Sequence, residues 1–138
     1  MKKASYVYLP IFTRHIFYGN DIGAIRKLVS KYYKDSELDL DELDDLGNTE
    51  GFVKPVFNPD DDEHIRIFIM YVKDGADLGT VTHESVHLMN QVLLYVGQEL
   101  DDVNDEVQAY LAGYFTNTFM EEIRGVKSDD GKLEKLKK

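Results

Sequence analysis

The chain of 138 residues contains no cysteine. Disulfides and thiolate–metal bonds are thereby excluded, and His, Asp and Glu are the strong ligands left for any metal ion. No apolar run approaches the roughly 20 residues that a membrane-crossing helix needs. The start, Met1-Lys2-Lys3, is basic, but Tyr6, Tyr8 and Pro10 interrupt the apolar stretch that follows. No small-residue cleavage site follows it either, so a secretory leader is not expected. Basic residues are missing over long stretches. From Asp74 to Glu122 there is neither Lys nor Arg, and between Asp35 and Glu63 nearly every charged residue is acidic. Within a net charge of −10, such a field disfavours non-specific nucleic-acid binding and attracts cations and basic partners. Internal repeats and long linkers are also lacking. The expectation is one soluble, cytoplasmic domain over residues 1–126 with a polar, lysine-rich tail at 127–138.

What is present is enough to fold. Apolar residues make up 43% of the chain and aromatic residues 12%, a composition that buries a core rather than staying disordered. Ser5 to Phe12 is rich in Tyr, Val and Ile and reads as an edge strand because of Pro10. Asn20 or Asp21 can cap a helix whose apolar positions are Ile22, Ile25, Leu28, Val29 and Tyr32. Asp35 to Gly51 is an acidic loop with one helical turn, where Leu40, Leu43 and Leu46 share a side. Phe52 to Phe57 and Ile65 to Val72 read as two strands separated by the turn Asn58-Pro59-Asp60-Asp61-Asp62. In the second, Ile65, Ile67, Ile69 and Tyr71 face one way, and His64, Arg66, Phe68 and Met70 the other. Two helices follow, from about Leu78 to Val96 and from about Asp105 to Ile123, stopped near Gly97 and Gly125. The order strand, helix, strand, strand, helix, helix implies an α+β domain.

The first of these long helices carries His83-Glu84-Ser85-Val86-His87. Residues four apart lie on one helical face, so the two imidazoles can share one tetrahedral ion. Glu84 projects beside that face, where it can reach a metal-bound water without ligating the metal. Zinc lowers the pKa of such a water, and the glutamate takes its proton during attack on a carbonyl. Val86, Met89 and Leu93 supply a core-facing stripe. A catalytic zinc needs a third protein ligand and an open position. Glu106, nineteen positions after His87, is the leading candidate, with Asp105 and Asp102 as competitors. Ala109, Gly113 and Asn117 run along the side shared with Glu106, and small residues there would let the two helices approach closely. Two histidines and a carboxylate also suit manganese, iron or cobalt.

His83-Glu84-Ser85-Val86-His87, followed by Asn104-Asp105-Glu106-Val107-Gln108-Ala109-Tyr110-Leu111-Ala112-Gly113-Tyr114, resembles the zincin metallopeptidases. More closely, it is similar to small phage and prophage proteins with a His-Glu-x-x-His helix and a later Asp-Glu-x-x-Ala-Tyr-Leu-x-Gly-Tyr helix. The likeness covers about half the chain. It implies a minimal zincin-like domain, a three-stranded sheet beside two active-site helices, with Glu106 as the third ligand in the gluzincin manner. One departure matters: Tyr110 stands where larger gluzincins carry an Asp that orients a histidine.

Tyr110 and Tyr114 lie on or near the ligand side of the second helix and are candidate donors to a developing oxyanion, as are His15 and His64. A zincin substrate pairs with an edge strand, for which Ile65 to Val72 is the candidate. Asp39-Leu40-Asp41 and Asp60-Asp61-Asp62 lack the glycine and distal glutamate of a calcium loop and read as turns. The resulting expectation is a zinc-dependent hydrolase acting on a peptide or related amide bond of a peptide or protein substrate, in the host cytoplasm if phage-encoded. Two rivals stand beside it: a zinc-stabilised phage-type binder of a host protein, and an acidic decoy of a nucleic-acid-binding surface.

Overall fold

In the computed structural model, residues 1–9, 13–34, 37–40, 43–46, 48–95 and 105–126 are described. The predicted tail, Gly97, Asp102 and Asn104 lie outside them. Four strands form one mixed sheet: β1 (Ala4–Leu9), β2 (Arg14–Gly19), β3 (Gly51–Asn58) and β4 (Asp61–Val72), in the order β1-β2-β4-β3. The helices are α1 (Ile22–Val29), the single turn α2 (Leu43–Leu46), α3 (Leu78–Tyr95) and α4 (Asp105–Glu122). The class is α+β, as the element pattern predicts, but the sheet has four strands rather than three.

The additional strand is β2, which pairs antiparallel with β1 and parallel with β4. Sequence patterning misses it because His15-Ile16-Phe17-Tyr18 shows no polar alternation. Both its faces are covered: Ile16 and Tyr18 pack under α3 and α4, while Phe17 packs under α1. A strand buried on both sides reads as a continuous apolar run. The turn before it places Thr13 at φ 53.

Strand β4 is interior, hydrogen-bonded to β2 on one side and β3 on the other. It therefore cannot be the substrate-pairing edge; among the described residues the edges are β1 and β3. A register shift between Val56↔Ile67 and Phe57↔Ile65 leaves Arg66 as an extra residue in β4. A bulge of this kind reverses the alternation beyond it. Ile65 consequently packs toward α3 and α4, not with Ile67, Ile69 and Tyr71 as strict alternation predicts.

Asp21 caps α1, its carboxylate accepting the Ala24 N–H at 2.9 Å. This satisfies one of the helix's orphan donors. Helix α1 packs on β1 and β2, and its Ile25 and Val29 join Phe17, Ile67, Ile69, Leu38 and Leu43 in one apolar layer. On the other face, α3 and α4 cover Ile16, Phe68, Met70 and Val72 through Val81, Leu88, Val92, Phe115 and Phe119. Gly125, at φ 70, follows the end of α4 as a C-terminal stop. No helix among the described residues is long and apolar enough to cross a membrane.

Candidate metal centre

Helix α3 lies across the β3–β4 half of the sheet, and its buried side is set by Val81, Ser85, Leu88, Met89, Val92 and Leu93. Met89 and Leu93 are part of the expected core stripe, whereas Val86 is 38% exposed. Three residues after His83 and one before His87, Val86 shares their side of the helix, and that side faces out. His83 and His87 are both exposed. Their rings stand 4.7 Å apart, centroid to centroid, and the two Nε2 atoms are 3.1 Å apart. Two nitrogens each about 2.0–2.1 Å from one tetrahedral zinc would be separated by about 3.3 Å. The imidazole pair thus fits two corners of a zinc tetrahedron.

Glu84 behaves differently from its neighbours. It turns inward and is 7% exposed. Its side chain lies against the first residue of β3: a Cβ added to Gly51 would stand 2.9 Å from Glu84 Cγ and 3.3 Å from its Oε2. The same added Cβ would be 2.9 Å from the Tyr71 carbonyl oxygen. Only glycine permits this approach of the edge strand to the helix. Burial pushes the Glu84 carboxyl above the ordinary carboxylate range, and the nearby His83 and His87 pull it partly back. A half-desolvated carboxylate beside two converging imidazoles and a sheet edge is equipped to accept a proton at that edge.

The structure does not bring Glu106 to this pair. Glu106 is exposed in the first turn of α4, and no group of three His, Asp or Glu able to hold a metal occurs among the described residues. The reason lies in the packing of α4. Its core contacts are Leu111, Phe115, Phe119 and Ile123. Glu106 precedes Phe115 by nine residues, about two and a half turns, and so points to the opposite side. Ala109, Gly113 and Asn117 share the outward side and are exposed, with open space around Gly113. The small-residue side of α4 does not face α3; the two helices meet through large apolar side chains instead. Of the competing ligands, Asp102 and the side chain of Asp105 lie outside the described residues.

Tyr110 is 73% exposed, and Tyr114 is half-buried with its ring 5.7 Å from that of Phe115. Both line an open hollow of 420 Å³ along α4, whose walls include Gly113 and Glu121 but neither His83 nor His87. His15 lies on the far face of the sheet against Phe17 and Tyr33, and His64 is exposed near the start of β4. Sequence reasoning missed Gly51. A glycine opening a strand carries no signal of a partner thirty-three positions away, and only the fold reveals it. No protein-family profile, curated protein or solved structure matches this chain.

Proposed function

We propose that this protein is a zinc-dependent hydrolase, a metallopeptidase of His-Glu-x-x-His type. The observation that carries the reading is the convergence of two exposed imidazoles, 3.1 Å apart at Nε2, beside a buried carboxylate. His83 and His87 are the residues to hold the ion. Zinc, when bound, supplies Lewis-acid polarisation of a carbonyl and a water of lowered pKa. Glu84 acts as general base: its desolvation raises its affinity for a proton, and its place against Gly51 fixes the carboxylate at the β3 edge. Strand β3 takes over the substrate-pairing role expected of Ile65 to Val72, because it is the edge strand next to Glu84. Glu106 enters this reading as the third ligand on sequence resemblance alone, and a rearrangement of the first turns of α4 would have to bring it in. Tyr110 and Tyr114 enter as oxyanion donors on the same footing.

A second reading is favoured by one specific observation. Two imidazoles converge while no third His, Asp or Glu joins them among the described residues, so a zinc-binding protein that acts by contact, without catalysis, is the alternative. Elemental analysis of untagged protein and a fluorescent casein assay separate the two. The hydrolase reading expects one zinc per chain, lost in His83→Ala and kept in Glu84→Gln, with casein cleavage abolished in both. Zinc retained without any Glu84-dependent cleavage would sink the hydrolase and leave the binder; no zinc uptake would sink both.

A further inference from the structure

On the sheet face remote from α3, His15 of β2 is surrounded by aromatic rings. Tyr6, Tyr8, Phe17, Tyr32 and Tyr33 all have ring centroids within 6.3 Å of it, and its Nδ1 is 2.7 Å from the Tyr33 hydroxyl. Packing accounts for His15, Phe17 and Tyr33. It does not account for Tyr6, Tyr8 and Tyr32, which are 38%, 45% and 49% exposed. Three large aromatic residues exposed side by side mark a contact surface more often than a solvated one.

The backbone of β1 points the same way. The Lys3 carbonyl accepts the Asn20 N–H at 3.0 Å, which makes Lys3 and Asn20 a hydrogen-bonded pair of the antiparallel ladder. Such pairs alternate, so Ser5, Val7 and Leu9 turn their main-chain groups to β2. Ala4, Tyr6 and Tyr8 turn theirs to the open side of β1, an edge of the sheet among the described residues. The residues that expose their rings are thus those with main-chain donors and acceptors directed outward.

Charge selects the partner. Residues 1–34 carry seven Lys or Arg against one acid, Asp21. Arg14 bonds the Ile65 carbonyl and stacks on Tyr95, and Arg26 bonds the Leu40 carbonyl, so the charge offered to a partner is that of the exposed lysines. Lys2, Lys27, Lys31 and Lys34 are exposed, and the last two bracket Tyr32 and Tyr33. Of the nearby carboxylates, Glu37 is already held by Arg66 at 3.4 Å. A second copy of the chain would bring the same positive charge to this edge and be repelled. A nucleic acid would leave the outward main-chain groups of β1 unused.

We infer that β1 is a docking edge for an extended, acidic segment of another protein, added as a fifth strand and gripped by Tyr6 and Tyr8. Main-chain pairing supplies affinity without sequence dependence, and the tyrosines and lysines supply the preference. The surface is independent of the metal centre, which lies on the other face of the sheet.

Fluorescence anisotropy tests this with a fluorescein-labelled peptide of five Glu-Val repeats, its Lys-Val counterpart and a labelled twelve-nucleotide oligo-dT. The Glu-Val peptide binds, and binding weakens as salt rises from about 50 to about 500 mM. Tyr6→Ala and Tyr8→Ala each weaken it on the order of tenfold, and Tyr8→Phe keeps it. Ala4→Pro removes an outward N–H, leaves both rings in place and also weakens it. Circular dichroism checks each variant. Should Ala4→Pro not fold, Tyr8→Pro compared with Tyr8→Ala isolates the same main-chain contribution. The inference is overturned if the Glu-Val peptide does not bind or binds no better than Lys-Val. It is also overturned if proline costs nothing beyond alanine, if oligo-dT is bound in preference, or if sedimentation shows β1 pairing with a second copy.

Discussion

The two faces of the sheet handle a partly desolvated ionisable group in opposite ways. Under α3, Glu84 is drawn against Gly51 with no hydrogen-bonding partner among the described residues, and burial raises its pKa. Under α1, His15 sits among five aromatic rings with a hydroxyl on its Nδ1, and burial lowers its pKa. Desolvation is the same cause in each case and favours the neutral form of both groups. The surroundings differ. Two imidazoles converge beside Glu84 on an exposed helical face, so a cation can enter; around His15 the aromatic wall leaves a packing histidine. Exposure and convergence, rather than the presence of histidine, distinguish a candidate ligand from a packing residue.

The largest expected effect tests whether the two faces form one cooperative unit. Phe119→Ala under α4 and Phe17→Ala under α1 should each cost about 3–5 kcal/mol in urea unfolding, with single coincident transitions by fluorescence and circular dichroism. Separate transitions would show that the sheet divides two independent layers. Next in size is the ion. Zinc at about one hundred times its dissociation constant should stabilise the native chain by about 2.7 kcal/mol, and EDTA or His87→Ala should remove that gain. His15→Phe should leave it untouched, a contrast that fails if the histidines are interchangeable. Smaller again is Tyr33→Phe, which removes the hydroxyl from His15 and should cost about 1 kcal/mol while sparing zinc uptake.

The pH dependences are the finest probe, and they run in opposite directions. Through the interval between the ordinary carboxylate range and the raised Glu84 value, the native metal-free chain holds a proton that the unfolded chain has released. Its stability from this group therefore falls as pH rises, and Glu84→Gln should flatten the fall. For His15 the unfolded chain takes up a proton near its ordinary 6.5 that the native chain refuses. Stability is full above that value and falls as pH drops through it toward the lowered one; His15→Phe should abolish that slope. Denaturant midpoints measured across pH in EDTA check both signs.

Much of this architecture was readable in the residues. Asp21 as cap, the Leu43–Leu46 turn, the β3–β4 pair, the start of α3 and the end of α4 all follow local rules of capping, turns and periodicity. The His83–His87 pair was legible for the same reason, since residues four apart on a helix must share a face. What was not legible depends on tertiary context. Strand β2 hides because two layers cover it, and the Arg66 bulge reverses an alternation that looks regular on paper. The side of α4 that meets α3 was misassigned: Ala109 and Gly113 suggest a close helix contact, but Phe115 and Phe119 offer more apolar area to bury and take that place. Glu106 was carried outward with the small residues.

The parallel seam between His15–Gly19 and Ile67–Tyr71 has a kinetic consequence. Hairpins β1–β2 and β3–β4 each close over a short loop, whereas their joining brings together segments about fifty residues apart and costs the larger loop entropy. The two hairpins should accordingly form first and meet late, with α1 and the Leu38–Leu46 segment carried in the closing loop. Substitutions at β3 positions that pair only within the β3–β4 hairpin, such as Val53→Ala, would then mainly slow folding.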